Sequence, residues 1–383
     1  MSRVDELVTE FAPEGVRHVL LSEVARYSDT RVDAADLDET SFVGVDNLVS
    51  GKRGRVDATY PPNTTRLTAY EPGDILLGNI RPYLKKVWLA TNSGGSSGDV
   101  LTVRILRGHQ ASLTPEFLYY VLSSDSFFAY NMQHAEGAKM PRGSKAAILN
   151  YRVPIPPLPI QREIVRILDQ FTQLEAELEA ELEARRAQYE FYRNFIVGKF
   201  RFAGNDWVEL ETVASIRTGA KPVDLSDAGA VPYVNAGNES SGFTAIANSN
   251  AGTITIPSRG QGSAGHVGYQ KADFWCGPLC YRIESSSDDL STRFLYFYLR
   301  NVQDELIAMR KIGSILAVNK SDLGKIRIPV VAAEYQQSAV ELLDRFDALV
   351  NDLRDGLPAE INARRRQYEH YRGWLLSFKE LAA

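Results

Sequence analysis

The sequence is short of several things, and each shortage removes a class of function. It has two cysteines in 383 residues, Cys276 and Cys280. That is no disulfide framework and only half of a usual zinc ligand set, so both are expected to be strand cysteines in a reducing cytoplasm. No apolar run approaches the ~20 residues of a membrane span, and Met-Ser-Arg-Val-Asp-Glu at the start lacks a secretory pattern. A cytoplasmic protein without membrane contact is expected. The five histidines, His18, His109, His134, His266 and His370, are scattered, with no His-x3-His pair or Cys/His cluster to hold a metal. There is no Gly-x4-Gly-Lys-Ser/Thr loop for driving translocation with ATP. There is also no Asn/Asp-Pro-Pro-aromatic tetrad of an amino-methyltransferase, since the only adjacent prolines are Pro61-Pro62 and Pro156-Pro157. Gly260-x-Gly262-x-x-Gly265 fits the dinucleotide fingerprint by letter. His266-Val-Gly-Tyr-Gln270 follows it and reads as a strand, whereas the fingerprint needs a helix there to aim amides at a pyrophosphate. A flexible loop or hairpin turn is expected instead.

What is present is a repeat, which decides the architecture before anything else. Pro156-Pro-Leu-Pro-Ile-Gln161 leads into Ile167-Leu-Asp-Gln-Phe171, an acidic run, and Arg185-Arg-Ala-Gln-Tyr-Glu-Phe-Tyr-Arg193. Near the C-terminus Gln336 leads into Leu342-Leu-Asp-Arg-Phe346 and then Arg364-Arg-Arg-Gln-Tyr-Glu-His-Tyr-Arg372. In the first copy Ile164, Ile167, Leu168, Phe171, Leu174, Leu178, Leu182, Tyr189, Tyr192 and Ile196 fall at steps of three and four, one stripe of a helix. Pro157 and Pro159 stand at its start, where the first amides lack partners anyway. A narrow stripe on so long a helix needs a matching one. The second copy offers Val340, Leu343, Phe346, Leu349, Val350, Leu353, Leu357, Ile361, Tyr368, Tyr371 and Leu375, which predicts coiled-coil pairing. Tyr189, Tyr192, Tyr368 and Tyr371 are expected to pack between helices or against a partner.

The segments before each helix repeat as well. His18–Ala25 matches Trp207–Ala214, and Phe42-Val-Gly-Val45 corresponds to Val231-Pro-Tyr-Val234. Gly73–Ile80 matches Gly252–Arg259. The helix around Phe117 matches that around Phe294, and Asn150–Pro154 matches Lys325–Pro329. Further strands are expected at Val87–Ala90 and Val100–Val103, and a short helix over 1–12. The loops differ: Arg81-Pro-Tyr-Leu-Lys-Lys86 stands where the second copy has Gly260-Gln-Gly-Ser-Ala-Gly-His266. Loops on a shared frame usually carry recognition.

With these motifs on the page, the chain resembles the specificity subunit of a type I restriction-modification enzyme. The likeness rests on the helical motifs just quoted and covers essentially the whole chain. It implies a noncatalytic subunit in which each recognition domain reads one half of a split DNA sequence. The helices would act as spacer and as docking site for two methyltransferase subunits, and restriction motor subunits would join for cleavage. No cofactor is expected on this chain; S-adenosylmethionine, ATP and magnesium belong to the partner subunits. One departure stands out: Phe346 to Tyr368 is 22 steps against 18 from Phe171 to Tyr189. The excess falls at Asp355-Gly-Leu-Pro358, where Gly and Pro predict a kink or break.

Net charge is −5, from 43 Lys and Arg against 48 Asp and Glu. The distribution matters more than the sum. Five glutamates crowd Glu175 to Glu183, while basic clusters lie elsewhere. Lys and Arg neutralise phosphates, and Arg, Asn and Gln can read base edges. Candidates for binding double-stranded DNA are therefore Lys52, Arg53, Arg55, Arg81, Tyr83, Lys85, Lys86, Lys139 and Arg142 in the first domain. In the second they are Lys221, Asn238, Arg259, Gln261, Ser263, His266 and Lys320. Candidates for helix pairing or partner docking are Phe171, Leu178, Tyr189, Tyr192, Phe346, Leu357, Tyr368 and Tyr371.

The expectation is an α+β protein: two tandem pseudo-symmetric DNA-recognition domains separated by two long antiparallel coiled-coil helices. Residues 1–156 form the N-terminal segment and first recognition domain, 157–200 the first spacer helix, 201–330 the second recognition domain, and 331–383 the second spacer helix. The N-terminal segment is expected beside the second helix. The competing reading is a protein-interaction scaffold that uses the paired helices and binds no DNA.

Overall fold

The computed structural model describes residues 3–202, 205–237, 240–260, 262–310, 316–352 and 356–381. The chain forms two compact units, Met1–Glu177 with Ile361–Ala383, and Leu178–Glu360. Each is built on the same plan.

In the first unit Arg17–Leu20 pairs antiparallel with Arg152–Ile155, and a single helical turn, Leu21–Val24, follows. A four-stranded sheet then runs in the order Ala25–Tyr27, Val100–Ile105, Ile75–Gly78, Val87–Leu89, all antiparallel. A second sheet joins Arg31–Asp33, Arg66–Tyr70, Gly94–Ser96 and Phe42–Val43, with Phe42–Val43 parallel to its neighbour. The helix Pro115–Leu122 starts where its sequence says it should. Thr114 accepts the Phe117 amide at 3.2 Å, and Pro115 occupies a position whose N–H would be unpaired. Phe117, Leu118, Val121 and Leu122 are buried in the core with Ile75, Leu101, Val103 and Val153. Each such side chain is worth about 1.5–3 kcal/mol of burial.

The second unit repeats this order except in its second sheet, where Phe243–Thr244, Val231–Val234 and Trp275–Cys276 make three strands among the described residues. Trp207–Glu209 pairs with Arg327–Pro329. The sheet Ala214–Thr218, Cys280–Ser285, Thr253–Pro257, Gly268–Gln270 takes the place of the first unit's four-stranded sheet. Ser291 caps Thr292–Asn301 through the Phe294 amide at 3.3 Å. Cys276 and Cys280 are buried free thiols on strands, as expected. A strand, not a helix, follows Gly265.

The first long helix is continuous over 45 residues, Leu158–Phe202, about 67 Å at about 1.5 Å per residue. Its first part belongs to the first unit and packs antiparallel on the last helix, Leu357–Leu375. Phe171 stacks on Tyr368 and on Tyr371 at 5.7 Å, and Arg365 Nε donates to Glu175 at 2.5 Å. Its second part belongs to the second unit, where Tyr192 stacks on Phe346 of the helix Ala333–Asn351 at 5.3 Å. Of the expected stripe, Ile164, Leu168, Leu182 and Tyr189 are buried, but Leu174 is exposed. Val197, outside the stripe, is fully buried while Ile196 is half-buried. The cause is local: these last turns pack on the second recognition domain, where Phe200 meets Phe294 edge-on at 5.5 Å.

The second spacer helix is two helices, broken between Asn351 and Leu357. The predicted break is therefore present, although Leu353 and Asp355 lie outside the described residues. Gly356 sits so close to the end of the preceding helix that a Cβ would lie 2.6 Å from the Ala348 carbonyl oxygen and 2.7 Å from that of Asp352. The helix Arg3–Phe11 buries Val4 and Leu7 in the same core as Leu375, and the Leu381 amide donates to Val16. The N-terminal segment thus lies beside the last helix, as expected.

Candidate nucleic-acid interface

The sequence suggests that the recognition loops are unlike. In backbone they share a left-handed bend at each end. Three residues beyond Ile75–Gly78 the chain turns left-handed at Arg81 (φ 53°), and three residues beyond Thr253–Pro257 it turns left-handed at Gly260 (φ 134°). Sheet register makes Trp88 equivalent to Gly268. Three residues before each of these the chain is left-handed again, at Lys85 (φ 49°) and Gly265 (φ 82°). Only glycine adopts this conformation without steric cost. The first domain keeps basic side chains at both bends regardless.

Each loop is braced by a second one in the same way. Ile80 bridges to Arg142, the Arg81 amide donates to Pro141 at 2.7 Å, and that of Gly143 donates to Asn79 at 3.1 Å. In the second unit Arg259 bridges to Ala317, the Gly260 amide donates to Leu316 at 3.2 Å, and that of Val318 donates to Ser258 at 2.9 Å. In the first domain this sets Arg81 beside Arg142, and Arg81, Tyr83, Lys139 and Arg142 on these two loops are all exposed. Arg142 also reaches Asp99 at 3.3 Å. A third loop leans on the Arg81 loop: the Gly51 amide donates to Leu84 and the Lys52 amide to Lys85, at 2.8 and 2.9 Å, and Arg53 is exposed beside them.

Three first-domain candidates are engaged internally. Arg55 lies over the Trp88 ring at 4.8 Å and donates to Thr40 and Asp57. Lys86 Nζ donates to the Val45 carbonyl at 2.7 Å. Lys52 is 6 % exposed and bound to Asp125 and Glu369. Lys85 is half-exposed and also bound to Asp125. In the second domain Lys221, Arg259 and Lys320 are exposed. Ser263 is turned inward, its hydroxyl donating to the Ala236 carbonyl. His266 is half-buried and lines a cavity of about 740 Å3 with Arg293, Tyr296 and Arg300. Burial, with Arg300 and Arg310 nearby, lowers its pKa and favours the neutral ring. Asn238 and Gln261 lie outside the described residues.

Of the helix candidates, Phe171 stacks on Tyr368 and Tyr371, and Tyr192 stacks on Phe346. Tyr189 is buried, and Leu178 and Leu357 are half-buried. Residues that sequence reasoning missed tie each recognition domain to its helices. Tyr120 donates to Asp169 at 2.5 Å. At the matching aspartate of the second helix, Asp344, the donor is Arg293, which also binds Asp347 and lies over the Tyr269 and Phe297 rings. The aspartates stood in the repeated Leu-Asp-x-Phe motif, but no local signal named their partners.

The profile described as the type I restriction modification DNA specificity domain matches residues 102–184 and 204–363, more than half of the chain. The chain belongs to this family. Its relatives include the specificity subunit of an Escherichia coli type I restriction enzyme, 29 % identical over 60 % of this chain and 65 % of that protein. That alignment thus spans just under two thirds of the relative's length. A putative type I restriction enzyme specificity subunit from Haemophilus influenzae is 27 % identical over 72 % of this chain and 75 % of its own. In fold, the chain resembles the crystal structure of a type I restriction-modification S subunit from M. genitalium. The TM-score is 0.58 at 17 % identity, over 94 % of this chain and 96 % of that one. A chain from a structural study of complex assembly and conformational transition in the type I system gives TM-score 0.59 at 21 % identity, covering 96 % and 98 %. The α+β architecture of two tandem domains with long helices is therefore that of the family's S subunits. Among the described residues no helix is long and apolar enough to cross a membrane, and no His/Cys/Asp/Glu group is arranged to hold a metal.

Proposed function

We propose that this chain is the noncatalytic DNA-reading subunit of a type I restriction-modification complex, binding a two-part double-stranded site with one recognition domain per half. The observation that carries the reading is the pair of braced loops at Arg81 and Gly260: the same bends and bracing, twice, bearing different side chains. Arg53, Arg81, Tyr83, Lys139 and Arg142 serve the first half-site, and Lys221, Arg259 and Lys320 the second. The long helices space the readers and dock two methyltransferase subunits, with restriction motor subunits joining for cleavage. S-adenosylmethionine, ATP and magnesium are used by those partners.

The test is selection of preferred sites from random DNA by the chain assembled with its methyltransferase subunits. Two separated half-sites should emerge. Arg81→Ala should relax only one of them and Arg259→Ala only the other. A single contiguous site, or the same bases relaxed by both substitutions, overturns the two-reader reading. Absence of any salt-dependent DNA binding would favour a scaffold that pairs proteins through its helices.

A further inference from the structure

The Lys52 side chain is 6 % exposed, and its backbone is left-handed (φ 65°). Its ammonium donates to Asp125 Oδ1 at 2.8 Å and to both carboxylate oxygens of Glu369 at 3.0 and 3.1 Å. Lys85, on the neighbouring loop and also left-handed, donates to the same Asp125 oxygen at 2.7 Å. The two loops are joined through their backbones at Gly51–Leu84 and Lys52–Lys85. Asp125 is the first residue of the helix Asp125–Gln133. Glu369 stands on the last helix, where Arg372, 5 % exposed, reaches both it and the Ser123 carbonyl at 3.3 Å. One ionic chain thus runs from two recognition loops to the last helix, within the same unit.

We propose that Lys52, Asp125 and Glu369 are positioning residues of the first reader. They hold the loops bearing Arg53 and Arg81 at the spacing that discriminates the first half-site, and Lys52 itself touches no phosphate. This rests on the DNA-reading role proposed above.

Three observations support it. The Lys52 side chain is 6 % exposed and its ammonium already has carboxylate acceptors on two sides, so a phosphate would have to displace a carboxylate. Burial opposes ionisation of Asp125, but the two ammonium donors outweigh it and hold the carboxyl down at about 2, so it is charged at any working pH. Finally, the second domain makes the equivalent bend of Lys85 with Gly265, free of steric cost. A bend that glycine makes freely is kept with lysine in the first domain, where the side chain acts as the tether. Backbone strain of this kind persists where surrounding contacts over-determine it.

The test uses the full chain with its methyltransferase subunits and the variants Lys52→Met, Asp125→Asn and Glu369→Gln. Affinity is measured against salt on the preferred site and on sites altered in either half. Each variant should lose discrimination at the first half-site by about tenfold or more, within the usual cost of a mismatched pair. The log–log salt slope and second-half discrimination should hold, and Lys52→Met with Glu369→Gln together should do no more than either alone. A fall in slope of about 0.9 for Lys52→Met, with equal loss on every sequence, would make Lys52 a phosphate contact and overturn the inference. So would unchanged discrimination in all three variants. If Lys52→Met does not fold, Glu369→Gln decides, because that side chain is 39 % exposed and the change keeps its shape while removing the charge and one acceptor. A wild-type complex with no sequence preference would instead sink the DNA-reading role itself.

Discussion

Gln161 and Gln336 make the same three hydrogen bonds, 175 residues apart in the chain. Gln161 Nε2 donates to the Ser112 and Pro156 carbonyls at 2.7 Å, and its oxygen accepts the Thr114 amide at 3.0 Å. Gln336 Nε2 donates to Asp289 and Val331 at 2.6 and 2.7 Å, and accepts from Ser291 at 2.9 Å. Both side chains are buried. Each clamps the N-terminus of a recognition-domain helix to the start of a long helix. Gln161→Ala strands three backbone groups and should cost about 1–3 kcal/mol or more. Denaturant unfolding checks the loss, and amide exchange should locate it at Thr114. Gln336→Ala should act at Ser291 in the same way.

Arg81→Gly trades a strained left-handed residue for one that bends freely. Stability should rise by up to about 1 kcal/mol. DNA affinity should fall, and the salt slope with it by about one unit if the guanidinium meets one phosphate. Thermal unfolding and titrations at several salt concentrations separate the two effects. Lower stability would mean that the side chain braces the loop.

Gly356→Ala should destabilise the second unit by about 1–3 kcal/mol, because the new methyl meets the carbonyls of Ala348 and Asp352. Those carbonyls end a helix and have nowhere to retreat without unwinding it. Equilibrium unfolding measures this, and a neutral result would show the break between helices to be compliant.

Asp125 carries a pH dependence. Its carboxyl is lowered from the ordinary 3.8 to about 2 by Lys52 and Lys85, against the opposing effect of burial. A depressed carboxyl contributes stability that is complete above its unfolded pKa and is lost as pH falls through the folded one. The gap between wild type and Asp125→Asn should therefore close between about pH 4 and pH 2. A gap that stays constant over that window would show that the ion pairs contribute no stability.

Four residues inserted between Leu178 and Glu179 add about 6 Å to a continuous helix and turn it by about 400°, nearly back to register. If the helix measures the distance between half-sites, the preferred gap should lengthen by roughly two base pairs at about 3.4 Å each. An unchanged gap at full affinity would assign that measurement to something else.

The frame was legible in the sequence because it is written twice. The strands after Gly73 and Gly252, the helices around Phe117 and Phe294, and the glutamines at the helix starts are short-range signals in matching order. The break near Gly356 was legible from length and from Gly and Pro. The candidate interface was legible only as a set of residue types. Lys52 and Arg81 look alike in sequence, yet one is consumed by carboxylates 73 and 317 residues away and the other is exposed. Such distances leave no local trace. Nor did the shared bends show, since arginine and lysine do not announce a left-handed backbone as glycine does.

Those bends bear on how such a protein diversifies. Positive φ at 81 and 85 recurs at 260 and 265 with entirely different residues, so what the two loops hold in common is their junctions and not their contents. Such a loop can be rewritten letter by letter, or moved whole between the readers from Asn79 to Lys86 and from Ser258 to His266, with both flanking strands left as they are. On the two-reader proposal, new target preferences would arise in one reader at a time while the other kept its half of the site.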